Sequence, residues 1–215
     1  MNFITELFSD IPGFLIRLII VVFSLTIHEV AHGYAAYKMG DPTAKAFGRL
    51  SLNPLRHLDP LGFLCMLFFR FGWAKPVPIN PRYFKNPRVG MALSAAAGPI
   101  SNLIIAMLSV VAIRVIFIFW ITESIIIELL VVFFSMSATM NIALAVFNLL
   151  PVPPLDGSRL FYVFLPPKLY FGVMKYERII YVVVMILLIT GVLSPAINFI
   201  TRAILNGMLW AVGLN

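Results

Sequence analysis

Three long stretches of this chain are apolar almost without interruption, from about Gly13 to Met39, Val89 to Ile121 and Ile125 to Leu150. Each exceeds the roughly 20 residues that an α-helix needs to cross the hydrocarbon of a bilayer, so each predicts a membrane span. Shorter runs read differently. Asp59 to Phe71 is too short to span and predicts a re-entrant or interfacial piece. Tyr176 to Leu193 predicts a fourth span, and Ile197 to Val212 a shorter fifth or an interfacial helix. The expected fold is therefore an all-α polytopic membrane protein of five to six membrane helices, forming one domain over residues 1–215. Between the first two long helices, GWAKPVPINPRYF is dense in proline and reads as extended chain. Two readings stand there: a small β element, with an edge to which a substrate strand could add, or a simple tight loop.

Composition agrees with this pattern. Hydrophobic residues make up 61% of the 215, with 19 phenylalanines, and the mean hydropathy is +0.98. A water-soluble surface does not tolerate such values, so the lipid bilayer is an obligate partner. The formal net charge of +7 does not point to nucleic acid, because the basic residues cluster in loops beside the spans. Lys38 to Arg88 is rich in lysine and arginine against only Asp41 and Asp59, and Arg159, Lys168, Lys175 and Arg178 form a second basic group. By the positive-inside rule both groups lie on the cytoplasmic side, and the short connection with Glu123 lies outside. The lone Cys65 excludes an intrachain disulfide and a cysteine-based metal site. Nothing in the pattern fixes an oligomeric state.

The chemistry begins at the end of the first span, in TIHEVAHGYAAY. His28 and His32 are four residues apart, so a helix presents both imidazoles on one face with Glu29 beside them. Two histidines and a glutamate inside apolar sequence are costly unless something compensates them, and a metal ion does. A catalytic zinc takes a third protein ligand and keeps one position for water. Asp156 is the best candidate, because it follows the end of the third span on the side to which the first span delivers the HExxH. Prolines at 151, 153 and 154 stiffen its approach, and Gly157 permits a tight turn after it. His57, Asp59 and Glu177 lie on the same side and compete for that place, while Glu123 and Glu128 lie on the other.

HEVAHG at 28–33, AGPISN at 97–102 and NLLPVPPLDG at 148–157 together resemble the three motifs of the site-2 proteases, intramembrane zinc metalloproteases, in a compact form without a PDZ domain. The likeness covers roughly residues 20–165. It implies one Zn2+ held by His28, His32 and Asp156, with Glu29 as the catalytic base. The expected location is the plasma membrane of a prokaryote, as a multi-pass protein, with the active site toward the cytoplasmic side to which the basic loops point. Asn102 and Asn148 are implied to line the site, holding the substrate backbone or a developing oxyanion. The expected substrate is a transmembrane protein, cleaved within or near its span. A metal-ion or proton transporter using the same buried His, Glu and Asp groups is the alternative; inverted repeats and several broken helices would favour it, and neither is seen.

Overall fold

The computed structural model describes residues 10–69, 73–119, 124–166, 169, 172 and 175–214. Arg70, Glu123 and Lys168 lie outside the described residues. The long helices are α1 (Ile11–Lys38), α4 (Pro87–Phe119) and α5 (Ile125–Asn148), and they alone among the described residues are long and apolar enough to cross a membrane. The other α-helices among the described residues are α2 (Thr43–Ala46), α3 (Pro60–Phe69), α6 (Asp156–Phe161), α7 (Glu177–Ile189) and α8 (Ser194–Ala211).

This corrects the expectation of five to six membrane helices. Helix α3 has 10 residues and α7 has 13. At 1.5 Å per residue these reach roughly 15 and 20 Å, short of a hydrocarbon layer roughly 30 Å thick. Helix α8 is longer, but Asn198, Arg202 and Asn206 recur at every fourth residue and make one of its faces polar.

The expected β element is also absent: among the described residues there is no strand, only an isolated antiparallel bridge between Leu58 and Ala74. The prolines explain why. Pro76, Pro78 and Pro81 have no N–H to give to a ladder. Side chains hold the extended segment instead. Arg49, itself buried, donates to the carbonyls of Lys75 and Pro76. Lys75 N–H donates to His57 O at 2.7 Å. Val77 N–H donates to Glu29 Oε2 at 2.9 Å, and Asn80 N–H to Asp41 Oδ2 at 2.7 Å. The result is a strap from Trp73 to Asn80 laid along the end of α1.

Helix α1 starts where Asp10 caps it, its carboxylate accepting from Gly13 N–H at 2.9 Å. Helices α1 and α4 run antiparallel. His28 meets Asn102 while His32 meets Ser94, so pairing moves down α4 as it moves up α1. Helices α4 and α5 are antiparallel by the same test, with Asn102 on Asn141 and Ser109 on Ser137. The loops after α1 and after α5 consequently share one end of the bundle. Ala106, Ile142 and Val146 form the buried apolar centre, closed by Ile197, Ile204, Leu205 and Met208 of α8.

Asp41 is fully buried. Besides Asn80 N–H it accepts from Thr43 N–H at 2.9 Å and from the Thr43 hydroxyl. Asp41→Ala strands those donors, so unfolding free energy should fall by about 1.5–3 kcal/mol, the usual worth of a bond to a charged acceptor. Hydrogen exchange at Asn80 and Val77 should accelerate before global unfolding; unchanged protection there would mean the strap is held by something else.

Candidate metal centre

His28 and His32 occupy successive turns of α1 and project toward α4, where both are buried. Such an approach needs small residues opposite. Ala95 and Gly98 of α4 supply them, and a Cβ on Gly98 would lie only 2.6 Å from His28 Cε1 and overlap the His32 ring as well. Pro99 follows, with no N–H to give to the Ala95 carbonyl. In the same stretch of α4 the Ser94 carbonyl accepts from His32 Nδ1 at 2.7 Å. His28 Nδ1 lies 2.7 Å from Asn102 Oδ1.

Asp156 opens α6, immediately after the proline-rich bend that ends α5. Gly157 lets this turn press against the bend, since a Cβ there would strike the carbonyls of Leu149 and Leu150. The Ser158 hydroxyl fixes the turn by donating to Leu155 O at 2.7 Å. Asp156 Oδ2 thereby comes within 3.1 Å of His28 Nε2 and 3.2 Å of His32 Nε2. The two Nε2 atoms are themselves 3.0 Å apart.

The donor set tests whether these residues fit a metal. A backbone carbonyl only accepts, so His32 carries its proton on Nδ1, and Asn102 Oδ1 requires the same of His28. Both Nε2 atoms then present lone pairs to Asp156 Oδ2, which is buried and receives no hydrogen bond of ordinary geometry. Three electron pairs aimed at one point repel one another unless a cation lies between them. The atoms fall within 4.8 Å of one another, and two imidazoles with a carboxylate suit a catalytic Zn2+ that keeps a position for water. Absent such a cation, protonated imidazoles are the alternative occupants of that point: with Nε2–H on His28 and His32, their hydrogen bonds and charge hold the Asp156 carboxyl well below the usual carboxylate range against the upward push of burial. Protons therefore compete with a metal for this site.

The other expected residues fall as follows. Glu29 is beside the cluster, one oxygen tied to Val77 N–H. Asn148 lines the cleft and donates to Leu144 O at 3.0 Å. Asn102 is fully buried between α1, α4 and α5, with its amide engaged by His28 and Asn141. The rival third ligands have other work. His57, kept below its ordinary pKa by burial, lies with Nε2 2.8 Å from Ser51 O; Asp59 accepts from Gly62 N–H at the start of α3; Glu177 begins α7. Arg159, one turn beyond Asp156, also lines the cleft. Its i+3 spacing from Asp156 was the signal for it, as helical spacing from Asn148 was for Asn141.

A membrane-embedded helical protein that converges two histidines and an aspartate beside a glutamate is built as a zinc metallopeptidase. The model of peptidase family M50 matches residues 114–191. The chain is 41% identical over 201 residues to the protein named "Putative zinc metalloprotease YwhC" of Bacillus subtilis, covering 88% of both chains. It is 29% identical over 183 residues to the "Putative zinc metalloprotease Rip2" of Mycolicibacterium smegmatis, covering 81% of this chain and 65% of that one. To the Mycobacterium tuberculosis protein of the same name it is 32% identical over 146 residues, 62% of this chain and 51% of that one. No solved structure gives a significant match. The chain belongs to peptidase family M50.

Gly98→Val places a branched side chain where the two imidazoles lie. Bound zinc, measured by elemental analysis of purified protein, should drop to a small fraction of the wild-type content. Full zinc content with unchanged folding would mean that the imidazoles do not need that approach.

Proposed function

We propose that this chain hydrolyses peptide bonds in or next to transmembrane segments of other membrane proteins. In this reading His28, His32 and Asp156 hold one zinc ion and Glu29 is the general base. The observation that carries it is the convergence of His28 Nε2, His32 Nε2 and Asp156 Oδ2 within a cleft that Glu29 also lines. When bound, zinc supplies a Lewis acid that lowers the pKa of water and polarises a scissile carbonyl.

The chain's own residues do the remainder. Glu29 is anchored through Oε2, and its other oxygen takes a proton from water and returns it to the leaving amine. Asn148 is positioned to meet the substrate backbone, whereas Asn102 orients His28. The cleft, about 170 Å³, is too small for a helix roughly 10–12 Å wide, so the substrate enters it unwound. A larger apolar cavity of about 480 Å³ shares His28, Glu29, Asn148, Pro154 and Leu155 with the cleft and opens between α1, α5 and α7. Its apolar walls accept a substrate segment still in contact with lipid. Residues 1–215 act as one membrane-embedded domain. The basic loops after α1 and α5 support an active site that faces the cytoplasm.

Glu29→Gln keeps the shape of the side chain and removes the base. Cleavage of a single-span substrate in detergent should fall by roughly 10²–10⁴-fold while zinc content stays near one per chain. Loss of most of the zinc would make Glu29 a ligand instead.

Orientation has its own test. With Cys65 replaced, a cysteine at Lys45 should resist an impermeant thiol reagent applied to intact cells, and one at Ser124 should react. The reverse pattern would put the site on the outer face.

A further inference from the structure

Asn141 lies in the middle of a membrane helix, fully buried, and takes no part in the chemistry above. Its hydrogen bonds form a directed chain. Asn141 Nδ2 donates to the backbone carbonyl of Ser137 at 2.9 Å. A carbonyl only accepts, so this bond fixes which way the Asn141 amide faces and turns its Oδ1 toward α4. Asn102 Nδ2 donates to that oxygen at 3.2 Å, which fixes the second amide in turn. Asn102 Oδ1 then faces His28 Nδ1 at 2.7 Å and requires a proton there. Each link leaves one orientation for the next, and the last leaves the Nε2 lone pair of His28 pointing at Asp156.

We infer that Asn141 is a positioning residue that sets the tautomer of His28, acting through Asn102 from the Ser137 carbonyl. His32 gets the same instruction directly from the Ser94 carbonyl, so both imidazoles take their polarity from the main chain. Without Asn141 the Asn102 amide can rotate and present its NH2 to His28. Nδ1 would then become the acceptor and Nε2 would carry the proton, which blocks a metal. The Ser109 and Ser137 hydroxyls, 2.9 Å apart, join the same two helices outside this chain of bonds and serve as the control.

The inference rests on His28 being a zinc ligand, and the test separates the two. Zinc affinity of the full chain in detergent is measured by competition with a chromogenic chelator, and the His28 tautomer by ring 15N chemical shifts of metal-free protein. Wild-type protein that binds no zinc would overturn the ligand reading itself. If wild type binds, Asn141→Leu should weaken zinc about tenfold, the lower end for groups that orient a ligand, and the spectrum should gain the Nε2–H form. Asn141→Ser, whose short hydroxyl bonds its own helix, covers the case in which Asn141→Leu does not fold, and should behave alike. Ser109→Ala should bind zinc as wild type does. The inference is overturned if either folded Asn141 variant stays within twofold of wild type with an unchanged tautomer, or if Ser109→Ala weakens zinc equally.

Discussion

Mutual repulsion among three lone pairs is the condition that the rest of this molecule is arranged to maintain. Left to themselves, the His28 and His32 rings would turn away from each other and from Asp156 Oδ2. They are prevented by a hydrogen bond on each Nδ1 and by the tight α1–α4 contact that Gly98 permits. Rings so held have lost most of their freedom before any ion arrives, which is the preorganisation that a metal site requires. In an apolar surrounding the arrangement is more demanding, because no water is at hand to satisfy an amide or imidazole that turns the wrong way.

Much of the site was legible in the residues. The i, i+4 spacing puts His28 and His32 on one helix face whatever the tertiary fold, and charge asymmetry between loops puts Asp156 on the same end of the bundle. The part played by Asn102 was not legible. A polar residue in an apolar span signals a partner, but the signal does not say whether that partner is a substrate or a histidine; only the depth of Asn102 between three helices separates the two. Ser94 was harder still, since its contribution is a carbonyl that every residue possesses. For the fold, the three long spans were predicted to within about two residues at their ends. The surplus spans came from apolar runs whose helices are too short, as in α3 and α7, or carry a polar face, as in α8, and the β element from proline-rich chain that is extended without pairing.

The strap from Trp73 to Asn80 joins these levels. Because its prolines cannot enter a ladder, its shape is imposed by Glu29, Arg49 and Asp41. Glu29, the proposed base, is thus also a structural residue. The Val77 N–H that holds its carboxylate in place lies on the segment bordering the cleft, so the position of Glu29 and the form of the cleft wall are one constraint.

Both histidines trace their orientation to main-chain carbonyls, at Ser94 and Ser137. A carbonyl survives any substitution of the side chain beside it. Over long divergence, then, positions 94 and 137 are free to drift in identity as far as His32 and His28 are concerned, while the two asparagines between Ser137 and His28 are not. What descendants of this chain must inherit at the ends of that path is the path of the backbone and not a letter of sequence.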